Sequence, residues 1–317
     1  MRVLVTGAQG CIGSWCVKSL LERGLDVLAY DKNPNPTRLS HLVPASEIAK
    51  VRFVEGQIED TARVKGLMKD EGITHVIHLA AALMPFCQAN PVTGGMIDMI
   101  GTLNVFEGAR DAGREVRVVY ASSSAVWGPE DSFEKRSLNE QDSLFAGTHY
   151  GVFKMANEGN ARVFYSSNGI SSVGVRPWTV YGVGRDSGLT AGTTLAMKAV
   201  VKGEPYQMGV TGHMDLQYVA DVAEIFNRCL LDSFTGAHVF NLAGDIIRVD
   251  QFIQKLEAMR PGAAKLITSA GNKIPVAYQM DGAALAKMIP GLKRTSLEAG
   301  MQATLSIYER LLSEGKL

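Results

Sequence analysis

The sequence lacks the features that would point to a membrane or to a nucleic acid. No segment of its 317 residues approaches the ~20 consecutive apolar residues that a membrane helix requires. Lysine and arginine together number 32, as do aspartate and glutamate, so the net charge is zero, and no long block of like charge is present. Because the chain has neither a net charge nor a cluster of like charges, we expect neither a nucleic acid nor a membrane surface as a partner.

Cysteine pairs and a targeting segment are also missing. The four cysteines, Cys11, Cys16, Cys87 and Cys229, are scattered and form no CxxC motif, which indicates free thiols in a reducing compartment. The chain runs from Met1 directly into a buried-strand pattern, without the basic, apolar and small-residue regions of a secretory signal. We therefore predict a cytoplasmic protein, and we expect no metal site.

The composition is that of a globular protein, with 46% hydrophobic and 20% charged residues, and the length suits one large α/β unit with a smaller lobe. In the first half, short β-branched runs alternate with helical patterns, which predicts a doubly wound, Rossmann-type parallel sheet with crossover helices. The predicted strands are Arg2–Thr6, Val27–Tyr30, Val51–Glu55, His75–Ala80 and Val116–Ser122, and the predicted helices are Ile12–Arg23, Thr61–Glu71 and one that includes Thr102–Ala112.

The second half loses this alternation. It begins with a predicted helix over Tyr150–Asn168, and the sheet regains strands at Val173–Arg176 and Val239–Leu242. The stretch Pro177–Gly192 is rich in glycine and proline, which suits a loop that closes over a site. We therefore expect a Rossmann domain made of residues 1–176 and about 216–246, and a smaller, mostly C-terminal lobe made of residues 177–215 and 247–317.

A glycine-rich turn directly follows the first predicted strand. Gly7, Gly10 and Gly13 are spaced as GxxGxxG, with Cys11 and Ile12 at the start of the next helix. Glycines here let the backbone approach a pyrophosphate, while the helix offers free N–H groups and the positive end of its dipole. Because the turn lies between a strand and a helix of a βαβ unit, it predicts a dinucleotide site in the Rossmann domain.

The residue that ends the second predicted strand bears on the choice of dinucleotide. Asp31 can accept hydrogen bonds from the ribose hydroxyls of the adenosine, and its carboxylate would repel a 2′-phosphate, so NAD is favoured over NADP. Lys32 and Arg38 offer an opposing interpretation, because nearby cations can accommodate that phosphate. We interpret the two cations as solvated loop charges, with Lys32 beside the cofactor.

Tyr150 and Lys154 are four residues apart on one predicted helix, so their side chains leave the same face. A phenol is ordinarily a poor base at neutral pH, but a lysine ammonium and the positive nicotinamide ring both stabilise the phenolate. The fifth predicted strand ends in Ser122, Ser123 and Ser124, where a hydroxyl can hold the substrate oxygen. The set predicts hydride transfer at a secondary alcohol, with Tyr150 taking the proton.

Taken together, these motifs resemble those of the extended short-chain dehydrogenase/reductases, in the NAD-dependent epimerase/dehydratase group, over essentially the whole chain. The resemblance rests on the glycine turn, Asp31, His78-Leu79-Ala80-Ala81, the serine strand end, Tyr150 with Lys154, Arg176-Pro177 leading to Val180-Tyr181-Gly182, and Tyr218-Val219-Ala220-Asp221-Val222.

This resemblance implies a role for particular residues and a homodimer formed through a four-helix bundle that includes the tyrosine-bearing helix. It makes Ser123 the catalytic hydroxyl beside Tyr150 and Lys154. The residues implied to bind the cofactor are Gly7, Gly10, Cys11, Ile12, Gly13, Asp31, Lys32, Gln57, Ile58, Leu79, Ala80, Ala81, Ala82, Tyr150, Lys154, Pro177, Thr179 and Val180. The candidates for substrate contact are Ser124, Trp127, His149, Arg185 and His213.

Departures from the family pattern narrow the expected substrate. Family dehydratases carry an acidic pair after the catalytic hydroxyl, where this chain has Ser124 and Ala125, so dehydration is not expected. Met214 occupies the position at which members acting on nucleotide-sugars place a diphosphate-binding arginine, and a thioether cannot replace that group. Arg185 is a candidate for binding a substrate carboxylate, with a structural ion pair to Asp186 or a neighbouring residue as the alternative.

We therefore predict an NAD-dependent oxidoreductase that transfers a hydride at a secondary hydroxyl of a small non-nucleotide sugar, polyol or sugar acid. An epimerase using the same Ser123, Tyr150 and Lys154 remains an alternative. So does an amino-acid dehydrogenase acting on threonine, because such members also lack the phosphate-binding arginine. A non-catalytic dinucleotide sensor would keep the glycine turn and lose the tyrosine and lysine, but this chain retains both.

Overall fold

The centre of the molecule is a seven-stranded sheet in which every neighbouring pair of strands is parallel. The computed structural model describes residues 1–134 and 137–317. The strands are β1 Arg2–Thr6, β2 Asp26–Asp31, β3 Arg52–Glu55, β4 His75–His78, β5 Arg117–Ala121, β6 Ser172–Arg176, β7 Thr179–Tyr181, β8 Tyr206–Met208, β9 His213–Tyr218, β10 Ala237–Asn241, β11 Asp245–Arg248 and β12 Ile267–Ser269. The order β10-β6-β5-β4-β1-β2-β3 confirms the predicted doubly wound fold.

The helices lie on both faces of this sheet and around the second lobe. They are α1 Cys11–Glu22, α2 Thr37–Ser40, α3 Ala45–Ile48, α4 Thr61–Asp70, α5 Met84–Ala89, α6 Pro91–Gly95, α7 Gly101–Asp111, α8 His149–Asn168, α9 Gly192–Lys202, α10 Val219–Leu231, α11 Val249–Met259, α12 Ala263–Leu266, α13 Ala283–Met288 and α14 Leu297–Ser313. A π-helical turn, Met96–Ile100, joins α6 to α7. Within the described ranges, no helix combines the length and apolarity of a membrane span.

The central strands of the sheet are buried on both faces because consecutive positions in their middle are apolar, as in Val3–Val5 of β1 and Val118–Tyr120 of β5. Along β1, Val3 and Val5 point into the core beneath α1 and α10, whereas Leu4 points into the core beneath α4 and α7. This alternation is the period of two that a strand imposes. These buried apolar runs therefore explain why the sequence of the first half of the chain predicts a parallel sheet.

The second lobe is built from short strands and the C-terminal helices. Strand β9 pairs with β7 on one side and antiparallel with β11 on the other, and β12 pairs with β8. Its core contains Met197, Phe252, Met301 and Leu305, all fully buried. The prediction of a continuous loop from Pro177 to Gly192 was wrong, because the register pairs Val180 and Tyr181 with two residues of β9 and makes β7 a strand.

The segment after β4 differs from the sequence prediction. We predicted a strand to Ala80, but the strand ends at His78 and the chain leaves the sheet. The hydroxyl of Thr6 accepts hydrogen bonds from the N–H groups of Leu79 and Ala80, both at 3.3 Å. The N–H of Leu79 also donates to the carbonyl of Thr6 at 3.1 Å. The backbone pairing with β1 therefore reaches Leu79, and the N–H of Ala80 binds a side chain of β1 instead of its backbone.

Candidate active site

A cleft of about 600 Å³ opens at the carboxyl ends of the central strands, where the strand order reverses between β1 and β4. This is the place at which doubly wound sheets bind ligands. Most of the predicted site residues lie in its wall. They are Gly7, Gly10, Cys11, Ile12, Gly13, Asp31, Lys32, Gln57, Ile58, Leu79, Ala80, Ala81, Ala82, Ser123, Ser124, Tyr150, Lys154, Pro177, Val180 and Arg185.

Four predicted site residues do not line the cleft. Thr179 is fully buried, because the alternation along β7 turns it away from the side on which its two neighbours face the cleft. Trp127 is also fully buried, and its ring packs 4.8 Å from the guanidinium of Arg176. His149 stacks on the ring of Phe153.

The fourth residue outside the cleft lining is His213, which is exposed and stacks on Tyr278 with ring centroids 4.8 Å apart. It is the first residue of β9. Substrate contact by Trp127, His149 and His213 is therefore not supported by their positions. These three residues were predicted because they are near site residues in the sequence. The sequence does not show which face of a strand or helix each side chain lies on.

The glycine turn has the geometry of a cradle for a phosphate group. Gly7 adopts a φ of +67°, and its N–H donates to the carbonyl of Tyr30 at 2.9 Å. A Cβ on Gly13 would lie 2.2 Å from the Gly7 carbonyl oxygen, so only glycine allows α1 to start this close to β1. Helix α1 has no side-chain cap, which leaves its first N–H groups for a ligand.

Asp31 is fixed at the end of β2 by two backbone groups. Its carboxylate accepts from the N–H of Gln9 at 2.9 Å and from that of Asn33 at 3.0 Å. Nearby, the phenol of Tyr30 donates to the carbonyl of Gln57 at 2.8 Å, which holds the β3 loop against β2. These residues suit the ribose and adenine of a dinucleotide whose phosphates lie over the glycine turn.

The three serines after β5 differ in what their hydroxyls do. Ser122 donates to Glu158 and Ser124 donates to the carbonyl of Arg176 at 3.3 Å. Ser123 instead accepts from the N–H of Ala125 at 3.1 Å, and within residues 1–134 and 137–317 it donates to no acceptor. It is also the one member of the trio that is not buried. Ser123 alone therefore has its hydroxyl proton available to a substrate oxygen.

Helix α8 carries Tyr150 and Lys154 into the same cleft. Its N-cap is Thr148, whose hydroxyl accepts from the N–H of Gly151 at 3.1 Å. A Cβ on Gly151 would lie 2.4 Å from the carbonyl oxygen of Ala125, so glycine lets the first turn of α8 approach the serine segment closely. The ammonium of Lys154 donates to the carbonyl of Ala121 at 2.9 Å and lies 5.4 Å from the centre of the Tyr150 ring.

Buried polar side chains beneath the cleft form hydrogen bonds that connect the segments of its wall. His78 bonds the hydroxyls of Thr6 at 2.7 Å and Thr102 at 3.1 Å, and burial, with a smaller effect of Lys154, lowers the pKa of His78 to about 3. The imidazole is therefore neutral. Asp98, fully buried in the π-helical turn, accepts from the N–H of Ala82 at 2.6 Å and so fixes the cleft wall.

Several lining residues were missed by the sequence analysis. Trp178 is half-buried, and its indole donates to the carbonyl of Ala277 at 2.8 Å. Ile274 and Val276 reach the cleft from the C-terminal part of the chain. No local pattern marks these residues, because only the return of the chain in three dimensions brings them to the site. Across the described ranges, no cluster of three or more His, Cys, Asp or Glu side chains has the arrangement of a metal site.

Arg185 lines the cleft and lies close to Cys11 of the glycine turn. Burial raises the pKa of Cys11 to about 12, and the nearby charge of Arg185 opposes this rise. One terminal nitrogen of Arg185 donates to Thr190 at 2.9 Å, whereas its Nε is buried without a partner among the described residues. Asp186 pairs with Arg38, and among the described residues Arg185 forms no ion pair with Asp186 or a neighbouring acid.

Comparison with known proteins agrees with this geometry. Residues 3–243 match the model of the NAD dependent epimerase/dehydratase family. UDP-glucuronate 4-epimerase 3 of Arabidopsis thaliana is 29% identical over 280 residues, which cover 86% of this chain and 57% of that protein. The chain spans about half the length of the curated relatives it matches.

Solved structures share the whole fold. The UDP-glucose 4-epimerase of Thermus thermophilus, in complex with NAD, has a TM-score of 0.82 and 26% identity, covering 97% of this chain and 99% of that one. A partial-consensus L-threonine 3-dehydrogenase has a TM-score of 0.80 and 22% identity, covering 98% and 100% of the two chains. At that identity the second likeness shows the fold alone.

Proposed function

From the premise that this chain belongs to the NAD dependent epimerase/dehydratase family, we propose that it transfers a hydride at a secondary hydroxyl of a small non-nucleotide sugar, polyol or sugar acid. The observation that supports it most is the convergence of Ser123, Tyr150 and Lys154 on a cleft that also contains the glycine turn and Asp31. We further propose that residues 1–176 and about 216–246 bind NAD, and that residues 177–215 and 247–317 bind the substrate.

The proposed roles follow from the hydrogen bonds of each side chain. Bound NAD supplies a hydride acceptor or donor. Ser123 would hold the substrate oxygen with its unused hydroxyl proton, and Tyr150 would take the proton of that oxygen during oxidation. Lys154 uses one of its three N–H donors on Ala121, which leaves two for the ribose of the cofactor. Its positive charge beside the Tyr150 ring would stabilise the phenolate.

The charges of the cleft support a substrate without a nucleotide. Within the described part of the chain, the cations that line the cleft are Lys32, Arg38, Lys154 and Arg185. Lys32 and Arg38 lie near Asp31, Lys154 belongs to the catalytic set, and the charge of Arg185 lies near Cys11 in the glycine turn. The substrate side, by contrast, is formed by apolar groups such as Trp178, Ile274 and Val276, and Met214 is buried in the core of the second lobe.

The place of Arg185 changes the role we propose for it. A guanidinium with a free buried Nε and no acidic partner in the described ranges suits an anionic ligand. Because it lies beside the glycine turn, that anion is better matched by the pyrophosphate of the dinucleotide than by a substrate carboxylate. The hydroxyl of Ser124 is engaged with Arg176, so in our proposal Ser124 contributes shape to the substrate pocket.

An epimerase is the second candidate, favoured by the relatives, which include UDP-glucuronate 4-epimerases. It would use the same Ser123, Tyr150 and Lys154, first to oxidise the carbon and then to return the hydride. The two functions differ in their cofactor balance. A dehydrogenase accumulates NADH in proportion to product, whereas an epimerase converts its substrate with no net NADH. Threonine oxidation is a further alternative to be included among the substrates tested.

The proposal is tested with a panel of free sugars, polyols, aldonates, uronates, threonine and UDP-sugars, each followed by NADH absorbance and by chromatography of the products. We expect turnover of a non-nucleotide compound with NADH release. Tyr150→Phe should lower kcat by about 10² to 10⁴ while NAD⁺ still binds, and Tyr165→Phe, on the same helix, should change neither. Conversion of UDP-sugars alone would overturn the substrate proposal, and full activity of Tyr150→Phe would overturn the role of Tyr150. NAD⁺ binding without turnover of any compound would favour the sensor.

We also propose that the protein is a homodimer. An apolar patch formed by Phe86, Val92, Met96, Val152 and Val163 is exposed on helices α5, α6 and α8 and on the π-helical turn. Positions 152 and 163 are three helical turns apart and so lie on one face of α8. A second copy of this chain, meeting the same helices, would bury the patch as a helical bundle.

A further inference from the structure

An ion pair connects two parts of the chain that are distant in sequence at the adenosine end of the cleft. The Nε of Arg38, in the segment after β2, donates to the carboxylate of Asp186, in the segment after β7, at 2.9 Å. One terminal nitrogen of Arg38 donates to the carbonyl of Gln9 at 2.7 Å. All three residues line the cleft.

Gln9 links this ion pair to Asp31. The N–H of Gln9 donates to Asp31 at 2.9 Å, while its carbonyl accepts from Arg38. The carboxylate of Asp31 and the guanidinium of Arg38 are therefore held on two sides of a single residue. If Asp31 binds the ribose of the adenosine, the 2′-hydroxyl of that ribose would lie near the guanidinium of Arg38.

We propose that Asp186 is a specificity-determining residue of the cofactor site, which keeps Arg38 from accepting a 2′-phosphate. It does so by occupying the Nε of the guanidinium and by cancelling its charge. Discrimination against NADP then depends on two carboxylates, Asp31 from the Rossmann motif and Asp186 from a segment that the motif does not include. The inference rests on the proposed function only in taking this cleft as the dinucleotide site.

The charge balance at this end of the cleft supports the proposal. The carboxylates of Asp31, Glu59 and Asp186 offset the cations Lys32, Arg38 and Arg185, so the lining there has no excess charge for a phosphate that carries about −1.5 to −2. Without the charge of Asp186, one positive charge would be in excess. The freed Nε would also complete the fork of donors with which arginine binds phosphate.

The ion pair contributes little to folding, which makes it suitable for substitution. The side chains of Arg38 and Asp186 are 32% and 44% exposed, and exposed pairs of this kind contribute little to the stability of a fold. An Asp186→Asn variant should therefore fold as the wild type does. Its effect should be electrostatic and should weaken as ionic strength rises.

The test is calorimetric titration of the protein with NAD⁺ and with NADP⁺ at low and high salt, with no substrate present. We expect Asp186→Asn to bind NADP⁺ about 3- to 10-fold more tightly than the wild type does, in line with a charge effect of about 1 kcal/mol, while the affinity for NAD⁺ changes less than about twofold. The gain should be lost in the double variant Arg38→Met/Asp186→Asn. A residue that only supports the loop would not give a gain that depends on Arg38.

Asp250→Asn is the matched control, because Asp250 forms an exposed ion pair with Arg248 at the start of α11, outside the cleft lining. It should leave both affinities unchanged. An unaltered ratio of NADP⁺ to NAD⁺ affinity in Asp186→Asn would overturn the proposal, as would a gain that persists in the double variant. Wild-type protein that binds neither nucleotide would overturn the proposed function, and this inference with it.

Discussion

Asp215 is a carboxylate inside the second lobe with almost no contact with solvent. One of its oxygens accepts from the amide of Gln217 at 3.3 Å, and the other has no partner among the described residues. Burial raises the pKa of Asp215 from 3.8 to about 7, against the opposing effect of the Gln217 hydrogen bond. The same amide group of Gln217 also accepts from the N–H of Trp178 at 2.9 Å, so Asp215 supports the cleft wall indirectly.

The pKa of Asp215 predicts how stability depends on pH. In the folded protein the carboxyl keeps its proton up to about pH 7, but in the unfolded chain only up to about pH 3.8. Its contribution to stability is therefore full below pH 3.8 and is lost as the pH rises to 7. Asp215→Asn removes this loss, so between pH 5 and pH 8 its free energy of unfolding should fall less than that of the wild type, by up to about 3 kcal/mol.

Urea denaturation at pH 5 and at pH 8 measures this difference. The comparison is between the change of the wild type and the change of the variant, so an equal loss of stability from the substitution itself cancels. Parallel changes in the two proteins would contradict the prediction. They would mean that Asp215 is ionised in the folded protein throughout this pH range.

At the scale of one element, the glycine turn depends on how closely the start of α1 approaches β1. A methyl group at Gly13 would meet the Gly7 carbonyl oxygen at 2.2 Å, and the backbone would have to shift to relieve it. Gly13→Ala should therefore weaken NAD⁺ binding by about 1 to 3 kcal/mol, which is roughly 5- to 150-fold. Calorimetric titration with NAD⁺ measures the effect.

Gly66→Ala is the matched glycine control. Gly66 lies inside α4, where an added Cβ would have its nearest neighbour, a carboxylate oxygen of Asp70, at 3.8 Å. Alanine there should stabilise the helix by up to about 1 kcal/mol and leave NAD⁺ affinity unchanged. Equal NAD⁺ affinity of Gly13→Ala and the wild type would show that the turn does not approach the dinucleotide as we propose.

The elements that the sequence predicts well are those whose own residues determine them. Strand β1 is apolar on both faces, and the step from Tyr150 to Lys154 needs only the helical period. The path after β4 was not predictable, because Leu79 to Leu83 is as apolar as a strand, and only the folded structure pairs the N–H of Ala80 with the hydroxyl of Thr6. Helices α5 and α6 and the π-helical turn follow from that departure.

The site residues also fall into two groups, those that the local sequence pattern predicts and those that only the folded chain brings to the cleft. The glycines, Asp31, Ser123 and Tyr150 stand at element ends that the pattern locates, and all of them line the cleft. Trp178 and Val276 depend on how the second lobe returns to the sheet. Trp127 follows the serine segment in sequence, but the turn of the chain directs its ring into the core against Arg176, which sequence proximity does not reveal.

At the scale of the whole molecule, the two lobes are joined by hydrogen bonds at several places around the cleft. The indole of Trp15 donates to the carbonyl of Val183 at 2.9 Å, and Arg310 of α14 donates to the carbonyl of His41 at 2.6 Å. The ion pair of Arg38 and Asp186 adds a third connection. These three connections fix the segments that line the cleft relative to one another.

The apolar patch leads to a prediction about assembly. Val163 is 60% exposed on α8, on the side of the helix that faces away from the protein core. If two copies meet through α8, Val163→Glu would bury a carboxylate next to its counterpart across the two-fold axis. Both the desolvation of the charges and their mutual repulsion oppose that arrangement. The variant should therefore sediment as a monomer under conditions in which the wild type is a dimer.

Leu312→Glu tests whether any exposed leucine or valine would give this result. Leu312 is 44% exposed near the end of α14, on the second lobe, and its substitution should leave the dimer intact. Sedimentation equilibrium over a range of protein concentrations distinguishes the three proteins. A wild type that stays monomeric, or a dimer that persists in Val163→Glu and dissociates in Leu312→Glu, would contradict assembly through α8, because the buried surface would then have to lie elsewhere.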